Sequence, residues 1–137
     1  MTGDAPLRLA RVEGEYAVHR LAPDSAIPAS IWASPFVSVS RSTDELSIVT
    51  DASINIVADA NIAGDVQSTV SPWLAYRVAG TLDFAVTGVM SALTAPLADA
   101  RIGVLAIATY DTDYLLVRTD EGAAAEKAWR MAGIDVP

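Results

Sequence analysis

The chain has 137 residues, 52% of them apolar, with no cysteine and a formal net charge of −8. That length fits one domain, or two very small ones, with a real core. The acidic balance argues against nucleic acid and anionic membrane surfaces, and the lack of cysteine removes disulfides, thiol chemistry and cysteine metal sites.

The opening MTGDAPLRLARVEGE has no apolar h-region, so no signal peptide is expected. Arg8 to Val12 reads as a strand, and a second strand carries Val18 and His19. APDSAIPASIWASP then places three prolines where a helix would follow, which predicts a loop with at most one or two helical turns. DASINIVADANIAGD reads as a short helix, and Trp73 to Ala79, continuing to Val86, as extended. Helix signals begin at Thr87, with Val89, Leu93 and Leu97 on one face and Met90 and Ala100 beside them. Pro96 lacks the N–H that would bond residue 92, so a kink or a loosened last turn is expected. The uncharged stretch Phe84 to Ala98 is shorter than the ~20 residues a spanning helix needs.

Val104 to Ala108 and Tyr114 to Arg118 are nearly continuous in apolar character, the pattern of strands buried on both faces. The polar turn between them, Thr109-Tyr110-Asp111-Thr112-Asp113, lacks the usual Gly, Asn or Pro. Asp120 to Ala132 reads as a helix, with Thr119 as N-cap and Gly133 as its stop, and IDVP as a short last strand.

Three places carry chemistry. The free N–H groups of the helix start at Thr87-Gly88 suit an anion such as a carboxylate, and Gly88 leaves room for close approach; the plain alternative is a cap and a turn. Asp113 at the turn suits an ammonium or guanidinium; the alternative is a solvated turn carboxylate. The Asp111-Thr112-Asp113 pattern alone offers too few ligands for a hard cation. His19, the single histidine, has no cysteine or hydroxyl partner set around it in sequence, so it reads as a strand-face residue. Trp32, Trp73 and Trp129 read as core or interface anchors, and Arg41 as solvated or paired.

The chain also aligns with itself. YAVHRLAPDSAIPASIWASPFVSVSRSTDELSIV (16–49) lies over FAVTGVMSALTAPLADARIGVLAIATYDTDYLLV (84–117) without a gap, pairing Tyr16 with Phe84, Pro28 with Pro96 and Glu45 with Asp113. Two βαββαβ halves, 1–68 and 69–137, predict an α+β chain of tandem ferredoxin-like repeats, each an antiparallel sheet with helices on one face. Because one strand precedes the first repeat, exchange of a terminal strand between the halves is expected.

TGVMSALTAPLA together with ATYDTDYLLV resembles the ACT-domain family, in particular the branch of the CASTOR arginine sensors and small bacterial ACT proteins, with the aspartate kinase regulatory domain a more distant relative. The resemblance spans about residues 7–135. It implies tandem ACT repeats without a catalytic centre or cofactor. They would bind an amino acid or similar small metabolite at an interface between domains or subunits, as a cytoplasmic regulator of an enzyme on another chain. Carried over position by position, the implied ligand contacts are Asp83, Phe84, Val86, Thr87, Gly88 and Val89 in the loop entering the helix. Gly103 and Val104 follow at the next strand, and Thr109, Tyr110 and Asp113 at the turn. Val86 stands where the arginine sensors carry an acid, which weighs against arginine. A complete site of that kind needs two copies, which predicts a homodimer. The alternative is a protein–protein interaction module with no small ligand. An enzyme would have only Asp113, Asp83 and His19 to use as acid or base, at spacings that suggest no reaction.

Overall fold

The computed structural model of the chain describes residues 7–79 and 87–137. A short strand, β1 (Leu9–Arg11), comes first. Contacts divide the rest into an N-terminal unit, Glu13–Trp73, and a C-terminal unit of Leu74–Pro137 joined by the chain's first segment up to Val12.

The N-terminal unit pairs β2 (Tyr16–Leu21), β3 (Ser38–Arg41), β4 (Leu46–Asp51) and the first part of β5 (Val66–Val78) in the order β3-β4-β2-β5. The β2–β4 register sets Leu21 opposite Leu46 and His19 opposite Ile48. Leu21, Leu46 and Ile48 form a buried cluster with Ile31, Ile56 and Ile62. Fully burying one such aliphatic side chain is worth about 1.5–3 kcal/mol.

No α-helix supplies these covering residues. Ile31 sits on a 3-10 turn at Ala29–Ala33, within the proline-rich segment, as expected. The helix expected over 51–65 is replaced by 3-10 turns at Ile56–Ala58 and Ala63–Asp65. The reason is local. The Asp51 carboxylate accepts the Ser53 N–H at 2.8 Å and the Asp59 carboxylate accepts the Asn61 N–H at 2.9 Å, two bonds that compete with helical pairing. Arg41 is paired: its guanidinium donates to the carbonyls of Pro23 (2.7 Å) and Ser25 (2.6 Å), pinning the proline-rich segment to the sheet edge.

His19 is 7% exposed, and its Nδ1 lies 2.8 Å from Thr69 Oγ1. Its Nε2 is buried without a hydrogen-bond partner among the described residues. Burial pushes the imidazole pKa below its ordinary 6.5. Above pH 6.5 the ring is neutral in both the folded and unfolded states and exacts no penalty. As pH falls below 6.5 the unfolded chain binds the proton first, so stability drops until the folded-state pKa is passed. Urea unfolding from pH 7.5 to 5 should show this loss, and His19→Gln should remove its share. An unchanged pH slope in the variant would refute the assignment.

In the C-terminal unit, β5 lies beside β7 (Asp113–Arg118), and β7 pairs antiparallel with β6 (Leu105–Ala108). The strand β1 pairs antiparallel with the end of β5, Leu9 opposite Val78 and Arg11 opposite Tyr76. The strand β1, ahead of the N-terminal unit in sequence, thus belongs to the sheet of the C-terminal unit, in line with the expected exchange of a terminal strand. The last segment joins it: the Leu9 N–H donates to the Asp135 carbonyl at 2.8 Å, and the Asp135 N–H to the Leu7 carbonyl at 2.9 Å.

Alternation puts Leu74, Tyr76 and Val78 on one face of β5, and they share a buried cluster with Leu115 and Val117. The two helices cover that face, through Val89, Leu93 and Leu97 of α1 (Val89–Asp99) and Ala125 and Trp129 of α2 (Gly122–Met131). The α1 stripe is the one its sequence predicts, and the helix continues through Pro96 to Asp99.

Three details differ from the sequence reading. The strand β5 begins at Val66, well before Trp73. The segment before α2 is a 3-10 turn, Thr119–Glu121, and the α-helix proper starts at Gly122 with Glu121, not Thr119, in the N-cap position. The strand β6 lies at the sheet edge with Ala106 and Ala108 exposed, whereas Leu115, Leu116 and Val117 of β7 are fully buried. Of the tryptophans read as core or interface anchors, Trp129 is core.

Candidate functional site

The helix α1 starts at Gly88, whose φ of +80° is a left-handed conformation that glycine adopts without strain. Gly88, not Thr87, takes the N-cap position, and it carries no side chain that could cap this end. The first bond back along the helix runs from the Ala92 N–H to the Gly88 carbonyl at 3.0 Å. The N–H groups ahead of it have no intrahelical acceptor. The helix α2 ends at the opposite pole. Gly133, with φ of +85°, stops it, and the Ile134 N–H donates back to the Trp129 carbonyl at 2.9 Å.

These two ends share one cleft of about 380 Å³. Its lining is Thr87, Gly88, Val89 and Ala92 from the start of α1, Ala132, Gly133 and Ile134 from the end of α2, and Leu7 ahead of β1. A helix N-terminus carries partial positive charge and a C-terminus partial negative charge. One cleft sets the start of α1 beside the end of α2 over an apolar wall, where the Trp129 and Arg130 carbonyls of α2 already accept the N–H groups of Ile134 and Gly133.

Of the eleven residues implicated by sequence, Thr87, Gly88 and Val89 line this cleft. Asp83, Phe84 and Val86 lie outside the described residues. Gly103 and Val104 precede β6 and are not in the lining; Val104 instead packs on the core. Thr109, Tyr110 and Asp113 belong to the turn at the other end of β6, roughly 13 Å away by strand rise. Tyr110 is 81% exposed at the turn's tip, and Asp113 opens β7 opposite Ala108.

Thr112, which sequence reasoning passed over, fastens this turn. It is 5% exposed, and its hydroxyl donates to the Val78 carbonyl at 2.8 Å. The turn is thereby tied to the end of β5, just ahead of the segment that leads to Gly88. Thr109 closes the turn from within, its N–H and hydroxyl both donating to the Thr112 carbonyl. The signal was available: a threonine flanked by carboxylates in a tight turn is a side chain suited to backbone bonding. Thr112→Val should cost about 1–3 kcal/mol, because it removes the hydroxyl that ties the turn to the Val78 carbonyl, whereas Thr112→Ser should keep most of the stability. Equal losses for the two variants in urea unfolding would show that the hydroxyl is not what matters.

The hairpin in the N-terminal unit has the same plan: a four-residue strand, a four-residue turn and a six-residue strand, Ser38–Asp51 beside Leu105–Arg118. There the Ser42 hydroxyl accepts the N–H groups of Asp44 and Glu45. Matched element by element, Ser42 corresponds to Thr109 and Glu45 to Thr112, one residue off the gap-free pairing of Glu45 with Asp113. Glu45 itself is bound to Arg20 at 3.2 Å.

An antiparallel sheet with two helices on one face defines an α+β domain of ferredoxin-like type. Residues 68–130 match the family model for the ACT domain, and residues 14–55 match a second model, for an N-terminal domain. Residues 68–130 thus carry an ACT domain, and the chain is distantly like the aspartate kinase regulatory domain in fold. A protein of Agobacterium tumefaciens is 31% identical over 97% of this chain and 93% of its own, with a TM-score of 0.80. The regulatory subunit of aspartate kinase from Thermus thermophilus shares the fold at 11% identity, over 90% of this chain and 96% of its own, with a TM-score of 0.61. The aspartate kinase of Clostridium acetobutylicum, described as an allosteric enzyme, does so at 15% identity and a TM-score of 0.63; the match covers 88% of this chain and 33% of that one. No curated protein matches the chain. No helix among the described residues is long and apolar enough to cross a membrane.

Proposed function

We propose that the chain is a non-catalytic sensor built of tandem ACT repeats, one in each half, 1–68 and 69–137. It binds an amino acid or similar small metabolite and relays the binding to an enzyme on another chain in the cytoplasm. The observation that carries this reading is the cleft where the glycine start of α1 and the end of α2 meet over an apolar wall. A free amino acid's carboxylate fits the α1 end and its ammonium the α2 end. The tandem reading is supported by the two matching hairpins and by strand orders that give each half a ferredoxin-like sheet once β1 is counted with β5. In this reading Asp83, Phe84, Val86, Gly103, Val104, Thr109, Tyr110 and Asp113 complete the site when two copies associate as a homodimer around the cleft's open side.

The test is thermal unfolding with each common amino acid at 10 mM, alongside size-exclusion chromatography. A ligand present at about 100 times its Kd stabilises the fold by about 2.7 kcal/mol, a clear rise in Tm. At least one amino acid should produce such a rise. No shift with any of them would refute the proposal.

A further inference from the structure

We propose that the chain pairs with a second copy of itself along β6, antiparallel about a two-fold axis at Ala106. The proposal rests on the homodimer of the preceding section and not on its ligand. Among the described residues β6 has one neighbouring strand, β7, and stands at the end of the sheet. An open edge is a template for another strand, and proteins guard such edges with charges, proline or bulges. Val104-Leu105-Ala106-Ile107-Ala108 has no charge and no proline, and β6 keeps its register on β7 without a shift. The edge strand of the N-terminal unit, β3, is made differently, with Arg41 and two serines among its four residues.

The backbone of β6 is set for this pairing. The Thr109 N–H donates to the Thr112 carbonyl, so those two residues form a hydrogen-bonded pair. Counting back by twos along the antiparallel register, Ile107 and Leu105 spend their backbone groups on β7, while Ala106 and Ala108 turn theirs to the open side. Both alanines are exposed. With Ala106 opposite Ala106 of the second copy, both meet by their outward groups, and Val104 meets Ala108 in the same way on either side.

Charge selects the partner and the register. Arg101 and Asp111 are exposed, and neither has an ion-pair partner among the described residues. They lie at equal distances in sequence on opposite sides of Ala106. The two-fold therefore brings Arg101 of each chain level with Asp111 of the other, whereas a parallel arrangement would set like charges together. Such self-complementarity is what a closed two-fold dimer requires. The same register sets Gly103 opposite Thr109 of the second copy, two residues that the proposed site draws from separate ends of the strand.

The experiment is sedimentation equilibrium of the full chain at concentrations up to about 1 mM, with amide hydrogen exchange measured at both ends of the range. It is repeated on Ala106→Pro, Arg101→Asp, Asp111→Arg, the double charge reversal, and Ser40→Lys on the edge of the N-terminal unit. Proline at 106 removes an outward N–H and no bond to β7, so the fold should tolerate it. Circular dichroism establishes that each variant is folded, and the charge reversals and amide exchange decide the matter if Ala106→Pro is not.

The expected result is a dimer that Ala106→Pro abolishes and Ser40→Lys leaves unchanged, with the Ala106 and Ala108 amides exchanging more slowly in concentrated than in dilute protein. Each single charge reversal should weaken the dimer about tenfold, because two attractive pairs become two repulsive ones, and the double reversal should restore it to within about threefold. A dimer that survives Ala106→Pro overturns the inference and leaves the homodimer to another surface. A double reversal no tighter than the single ones overturns it by removing the register. A chain that stays monomeric throughout overturns both the inference and the homodimer, leaving the edge to a strand of a different protein, while the thermal shift with amino acids still judges the ligand.

Discussion

Trp129→Ala is expected to destabilise the protein by about 3–5 kcal/mol. The indole is fully buried, packs edge-to-face on Tyr76 with ring centroids 4.9 Å apart, and donates its N–H to the Leu93 carbonyl of α1 at 2.8 Å. One side chain thus fastens α2 to both the sheet and the neighbouring helix. Trp129→Phe keeps a ring against Tyr76 but leaves the Leu93 carbonyl without that donor, so a smaller loss of about 1–3 kcal/mol is expected. The neighbouring phenol adds a polar anchor. Tyr76 donates to the Glu126 carboxylate at 2.5 Å, and burial followed by that bond pushes its pKa well above the ordinary tyrosine range. Urea unfolding of both Trp129 variants checks the order. Equal losses for Phe and Ala would assign the whole effect to the hydrogen bond and none to packing.

Gly122→Ala is expected to destabilise by about 1–3 kcal/mol, although alanine is the better helix former. Gly122 has ordinary helical dihedrals, so its backbone does not require glycine. The constraint is space: a Cβ there would lie 2.4 Å from Leu74 Cδ1 and 3.8 Å from the Tyr76 hydroxyl oxygen. The helix start closes directly on the sheet, and the gain of up to about 1 kcal/mol in propensity is outweighed by overpacking. Leu74→Val shortens the opposing side chain, so the double variant should recover part of the loss relative to the sum of the single changes. Simple additivity in a double-mutant cycle would mean the two positions do not press on each other.

What the sequence disclosed and what it hid divide along physical lines. The α1 stripe of Val89, Leu93 and Leu97 was legible because one buried face at helical spacing leaves a periodic trace. The prolines at 23, 28 and 35 excluded a helix for reasons that do not depend on tertiary context. The early start of β5 was not legible. Gln67, Ser68, Thr69 and Val70 are all exposed, so neither face imposes an alternation on them. The one-residue shift between the hairpins was hidden because Ser42 and Thr109, not the acids, organise the turns.

For the site, the glycine at 88 and the helix start were readable from their residue types. The second wall, Ala132, Gly133 and Ile134, was not, because it arises from the antiparallel lie of α2 on α1 and carries no motif. Small apolar residues at a helix stop look the same in sequence whether they face solvent or a ligand.

The β1 pairing also bears on how the molecule is made. The C-terminal unit joins Leu9–Arg11 to residues at the far end of the chain, and Arg8 meets Asp135 across 127 positions of sequence. During synthesis, residues 13–73 emerge and can pair among themselves while this first strand still lacks its partner. The β1 strand must wait for β5, and its bond to Asp135 must wait for nearly the whole chain. Closing that span carries a loop entropy that grows only slowly with length, but it comes late. On the ribosome, then, the N-terminal unit is the first that can fold, and the cleft, which needs Leu7, Gly88 and Ile134 together, is completed only after residue 134 has been made.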